Sequence, residues 1–146
     1  MDQLEAFGLK GVFFVDPIPS LVLGDEIIRR IVDPILFRGH EVQLHLHPEW
    51  LSDKADSPVN GRAGRNISDF SRADQATLLQ VACNIFERLG VPKPVAFRAG
   101  NYGSDDTTLG VLANIGIRYD SSLNPDFPET SCKISLGGEQ ILPVQL

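Results

Sequence analysis

Residues 11–15, Gly-Val-Phe-Phe-Val, form an unbroken apolar run of β-branched and aromatic side chains. A run without alternation reads as a strand covered on both faces, as in a parallel sheet. Parallel neighbours need long crossover connections, usually helices, and the sequence supplies them in regular order. A short helix over 2–9 precedes the run. Residues 25–38 carry Ile27, Ile28, Ile31, Ile35 and Leu36 at helical spacing. Pro34 either kinks that helix or opens a second one behind Asp33, and Gly39 closes it. A strand follows at 41–47, then a long loop at 48–70 rich in Pro, Gly, Asn, Ser and Asp. Ser71 and Asp74 have capping-box spacing and start a helix. Its stripe of Leu78, Ala82, Ile85 and Leu89 ends at Gly90. Residues 94–98 form the next strand, Ser104 or Asp105 caps a helix to Ile115, and residues 117–123 hold another strand. Residues 133–146 read as a hairpin turning at Gly137 and Gly138. The alternation predicts an α/β fold with parallel strands and helical crossovers. A closed (β/α) barrel takes roughly 200 residues or more. The 146 residues here therefore read as an open part of a barrel-like fold, a partial (β/α) barrel.

Residues 41–48, Glu-Val-Gln-Leu-His-Leu-His-Pro, carry the most chemistry. Strand side chains alternate, so Val42, Leu44 and Leu46 share one face and Glu41, Gln43, His45 and His47 share the other. His45 and His47 lie at the C-terminal end, where parallel β/α folds build their sites. Two imidazoles at i and i+2 can converge on one cation. From spacing alone the pair serves equally well as hydrogen-bonding groups in a polar cavity. His40, at the opposite end of the strand, reads as structural.

Composition removes several classes of function. A formal net charge of −6 makes a poor nucleic-acid binder, because phosphate contacts need concentrated positive charge. The small basic pair Arg62 and Arg65 reads as part of a solvated loop. Cys83 and Cys132 form no CxxC motif, and Cys83, on the apolar side of its helix, reads as a buried thiol. No apolar run approaches the ~20 residues of a membrane span. The first residues, MDQLEAFGLKG, lack the apolar core of a signal peptide. The expectation is a soluble chain, cytoplasmic by default.

Further candidate groups lie at later strand ends. Arg98 and Tyr102 sit where the 94–98 strand enters a loop containing Gly100 and Gly103, which permit close backbone approach or positive φ. A guanidinium there can hold a carboxylate, and loop N–H groups can receive an oxyanion; a plain βα turn with an exposed Arg fits the segment too. Asp120, beside Ser121 and Ser122, faces the site or caps a turn.

Three segments, in this order, resemble the NodB-homology polysaccharide deacetylases: GHEVQLHLHPEW at 39–50, FRAGNYG at 97–103 and YDSS at 119–122. The resemblance runs from about Gly11 to Pro125. It implies a distorted β/α barrel and a His-His-Asp site for a divalent metal, with zinc the expected ion. It implies a hydrolase acting on carbon–nitrogen bonds other than peptide bonds, removing acetyl groups from a carbohydrate or a related N-acetyl amide. Residue by residue, it implies that His45 binds metal and that Arg98 orients a catalytic aspartate. A backbone N–H near Tyr102 would help form an oxyanion hole, and Asp120 would stand at a strand end lining the groove.

The sequence departs from that pattern in four places. The usual second metal histidine, four residues after the first, is Glu49 here; His47 takes its place, with Glu49 as the other candidate. The Arg loop is one residue longer than the common form. No late histidine follows before Leu146. The Asp-Asp pair that ends the family's first strand has no match, since Asp2 precedes a helix and Asp16 ends the next strand; Asp16 and Glu49 are the carboxylates that could stand in. Residues 1–146 are thus expected to be a single deacetylase-like domain, incomplete at both ends. Open sheet edges would favour self-association. The competing expectations are a non-catalytic remnant that binds metal or carbohydrate, and a structural half-barrel that works beside a partner chain.

Overall fold

β-Branched and aromatic residues at 12–15 pair with the alternating residues at 41–46, and a sheet grows from that pair. The computed structural model describes residues 1–54, 56–59, 64–124, 131–135 and 144–145. Strand β1 (Val12–Val15) lies parallel to β2 (Glu41–Leu46), β2 to β3 (Ala96–Ala99), and β3 to β4 (Tyr119–Asp120). β5 (Val144–Gln145) joins β4 antiparallel. The order in space, β1-β2-β3-β4-β5, follows the order in sequence. A doubly wound sheet would reverse its strand order at a switch point. The four parallel strands, alternating with helices, instead form an open section of a barrel. The expected hairpin turn at Gly137 and Gly138 lies outside the described residues, as does Arg62 of the basic pair.

The helices are α1 (Asp2–Ala6), α2 (Ser20–Leu23), α3 (Asp25–Phe37), α4 (Arg72–Arg88) and α5 (Asp106–Ile115). α3 packs on β1 and β2, while α4 packs on β2 and α5. Val42, Leu44 and Leu46 of β2 are buried in the same core as Ile28, Val32 and Ile35 of α3. Leu78, Ala82 and Ile85 of α4 join them. The apolar face of the histidine strand therefore lies under helices. Caps follow local chemistry: Ser71 Oγ accepts from the Asp74 N–H, and Asp105 and Thr108 form a reciprocal capping box.

Several sequence expectations need correction. α3 runs through Pro34 as one helix. Its buried side is Ile28, Val32 and Ile35; Ile27 and Ile31 are exposed, because they face a groove beside β1 instead of the sheet. β1 is the outer strand of the described sheet, so Val12 is 54% exposed and only Val15 is buried. The 48–70 loop contains two 3₁₀ turns, Pro48–Asp53 and Ile67–Asp69. α1 stops at Ala6, β3 starts at Ala96, and β4 is confined to Tyr119–Asp120. Cys83 is only partly buried, whereas Cys132 is buried. α2 was not legible, since four residues between Pro19 and Gly24 are too few to show a helical period.

His40 is buried at the N-terminal end of β2. Its Nδ1 accepts the Gly11 N–H at 3.2 Å, and its Nε2 lies 3.1 Å from Glu5 Oε1. Arg38 also binds Glu5 and Asp2. The imidazole thus ties α1 to the sheet, the structural role its position predicts.

Candidate functional site

Parallel register brings His45 and Arg98 side by side at the C-terminal ends of β2 and β3. Paired residues of parallel strands point to the same side, so both face away from the helix-covered core. Phe14 pairs with Gln43 on that same face of the sheet. The Arg98 guanidinium stacks over the Phe14 ring, 4.5 Å from its centroid. Its Nη2 and Nε donate to Ser121 Oγ at 2.7 and 3.2 Å. Gln43 staples the strands together, its Oε1 accepting from the N–H groups of Val95 and Ala96.

His45 Nδ1 lies 2.6 Å from the Arg98 carbonyl oxygen. A carbonyl can only accept, so Nδ1 carries the proton and Nε2 keeps the lone pair. Burial holds the imidazole below its ordinary pKa, against the opposing pull of that carbonyl. The ring is thereby neutral at neutral pH, with a fixed tautomer. The His47 ring meets it edge-on, with centroids 4.7 Å apart.

His47 leaves the strand under several constraints. Its backbone N–H donates to Asp16 Oδ2 at 3.1 Å, while Asp16 Oδ1 accepts from the Ile18 N–H at 2.9 Å. Burial pushes the Asp16 carboxyl up to about 7, against the pull of those two N–H groups. The Gly100 backbone closes on the His47 ring, and a Cβ at 100 would sit 2.6 Å from Nδ1. Gly100 therefore serves close approach. The positive φ of the loop falls on Asn101 and Tyr102, both at 55°, and not on Gly100 or Gly103. Gly103 is also a close-approach position, packed against Asn66.

Glu49, in the turn after His47, places Oε1 3.2 Å from His47 Nδ1. Its Oε2 accepts from Asn101 Nδ2 at 3.3 Å. Asn101 was not singled out by sequence; the available signal was that Asn tolerates the left-handed conformation the loop requires. Asp120 pairs with Phe97, itself paired with Leu44, which puts it on the core-facing side of the sheet. There it accepts from the Ser122 N–H and hydroxyl at 2.9 and 2.7 Å. The turn-capping alternative describes its position, and burial raises its pKa.

Asp16, His45, His47, Glu49, Arg98 and Asn101 thus meet at one end of the sheet. Beside them runs an apolar groove of about 460 Å³, bounded by Phe14, Pro19, Leu23, Ile27, Ile31 and Trp50. The two imidazoles are chemically suited to a divalent cation. Among the described residues, no group of three or more His, Cys, Asp or Glu is placed to hold one. The described residues thus offer two imidazoles in contact and no third ligand placed with them. No helix of the described residues is long and apolar enough to cross a membrane.

No protein-family model matches the sequence, and no curated protein matches it. Among solved structures, the chain is similar to one described as a "putative polysaccharide deacetylase" from Mycobacterium smegmatis. The TM-score is 0.57 and the sequence identity 26%. The match covers 82% of this chain and 35% of that chain, so this chain spans well under half of that protein's length. The likeness extends to the architecture, since the four parallel strands correspond to part of a deacetylase-type barrel.

Proposed function

We propose that this chain carries the histidine strand and the arginine loop of a metal-dependent deacetylase acting on an acetylated carbohydrate or a related N-acetyl amide. The observation that carries the reading is the His45 hydrogen bond to the Arg98 carbonyl. It commits Nδ1 and leaves Nε2 as a lone-pair donor, the arrangement found around metal-ligating histidines. The structural likeness to the Mycobacterium smegmatis protein adds the fold in which that pair sits.

In this reading His45 and His47 hold a divalent ion, with zinc the expected one. When bound, such an ion polarises an acetyl carbonyl and lowers the pKa of a water. The remaining chemistry falls to this chain's own groups. Arg98, held by Ser121 and Phe14, presents a fixed positive charge on the same face, where it would orient a carboxylate base that none of these residues supplies. The backbone near Tyr102 receives the developing oxyanion, since amides preset in a loop need no reorganisation during reaction. Asp16 and Glu49 are the carboxylates beside the histidines, and each is engaged with protein groups. The base and a third metal ligand are therefore assigned to neither.

Zinc titration of the wild-type chain and His45→Ala tests the reading. Wild type should take up one ion weakly, because two protein ligands fall short of the three typical of catalytic zinc. Affinity should decline as pH falls and the imidazoles protonate. His45→Ala should lose the site. Equal affinity in the two proteins, or acetate release from an acetylated oligosaccharide that survives a chelator, would overturn it.

A further inference from the structure

We infer that Glu49 and Asn101 are positioning residues that set the tautomer of His47, so that both histidines present the same ring nitrogen to a metal. The inference rests on the metal-binding reading above and deepens it. Three observations carry it. His47 Nδ1 is buried and makes no hydrogen bond, yet lies 3.2 Å from Glu49 Oε1. A lone pair on Nδ1 facing a carboxylate is repulsive, whereas an N–H there is attractive. Glu49 is itself held, because Asn101 Nδ2 donates to its second oxygen at 3.3 Å.

Asn101 reaches that oxygen from a left-handed backbone conformation, φ 55° and ψ 17°. That conformation costs most residues energy, and Asn tolerates it comparatively well. Gly100 closes on the same edge of the His47 ring, nearest Nδ1, and Asp16 anchors the His47 backbone N–H. The backbone under the ring is thus held, Gly100 packs against its Nδ1 edge, and the carboxylate stands at Nδ1. His45 has a backbone carbonyl in the equivalent place. Both imidazoles then keep the proton on Nδ1 and the lone pair on Nε2. A carboxylate behind a ligating histidine fixes the ring and raises its basicity. Glu49 has one oxygen toward the histidine and one toward the asparagine.

Imidazole nitrogen shifts of the metal-free, ¹⁵N-labelled chain read the tautomer directly. They should show His47 protonated on Nδ1 in wild type. Glu49→Ala should release it toward the other tautomer. Glu49→Gln, whose carbonyl still accepts, should retain it in part. Zinc titration of the same proteins should show a loss of ~10–100-fold for Glu49→Ala and a smaller loss for Glu49→Gln. Asn101→Gly keeps the positive φ but removes the amide, and should fall between wild type and Glu49→Ala. Two outcomes overturn the inference: an unchanged tautomer in Glu49→Ala, or zinc binding abolished by Glu49→Ala as completely as by His47→Ala, which would make Glu49 a ligand. If His45→Ala binds zinc like wild type, the metal reading fails, while the tautomer measurement still decides the role of Glu49.

Discussion

The imidazole of His45 hydrogen-bonds the backbone carbonyl of Arg98, its register partner on the next parallel strand, at 2.6 Å. One contact thus links the histidine motif to the arginine loop across 53 residues of sequence. It also couples the orientation of the ring to the position of the strand. A shift of β3 relative to β2 would release the His45 tautomer and move the guanidinium together.

Gly100→Ala should damage the site from outside the histidines. The new Cβ would lie 2.6 Å from His47 Nδ1 and 2.7 Å from the Leu46 carbonyl oxygen. The carbonyl belongs to the strand and cannot swing aside as a side chain could. Overpacking of this kind costs ~1–3 kcal/mol. Thermal denaturation should show the loss, and zinc titration should show weaker binding. Wild-type values in both measurements would refute the close packing of the loop on the ring.

His40→Ala should separate stability from metal binding. The imidazole is buried and accepts the Gly11 N–H. Its removal leaves that donor unpaired and opens a void, at a cost of ~1–3 kcal/mol. Urea denaturation should report that loss, while zinc affinity of the folded protein stays at the wild-type value. A drop in affinity matching that of His45→Ala would contradict the structural role.

Asp120 should make stability fall with rising pH. Burial raises its carboxyl above the ordinary value of 3.8. The folded chain therefore holds the proton more tightly than the unfolded chain does. Stability from this group is fully present below pH 3.8 and is lost as pH rises through the raised folded-state value. Asp120→Asn stays neutral and can still accept one of the Ser122 hydrogen bonds. Its melting temperature should vary less with pH across that window. Identical pH profiles for the two proteins would dismiss the effect.

Arg88 and Asp25 should show the opposite sign. Arg88 Nη2 and Nε donate to the two Asp25 oxygens at 2.6 and 2.9 Å, joining the end of α4 to the start of α3. That hydrogen-bonded partner, with the Ser20 hydroxyl, holds the Asp25 carboxyl down to about 2. The stability it contributes is present above pH 3.8 and is lost as pH falls through about 2. Both groups are solvent-exposed, so a double-mutant cycle should give a small coupling that shrinks with added salt. A coupling that is independent of salt would argue against an exposed ion pair.

Local chemistry by itself determined the alternation of strands and helices, the two faces of residues 41–47 and the helix cap at Ser71, while Ser104 and Asp105 stayed alternatives until the structure placed the cap on Asp105. Each depends on periodicity or on contacts within a few residues, which the order of amino acids specifies directly. The same reasoning put His45 and His47 at a C-terminal strand end and His40 at the other. Tertiary structure decided the rest. Ile27 and Ile31 match a helical stripe, but which part of a stripe is buried depends on where the sheet lies. Asp120 was left on either side by its sequence, and pairing with Phe97 chose the core-facing side. Gln43 spans 52 residues to Val95, and Glu49 spans 52 residues to Asn101. Such contacts exist only once the parallel register is set, because a slip of one residue would turn every side chain of a strand to the opposite face.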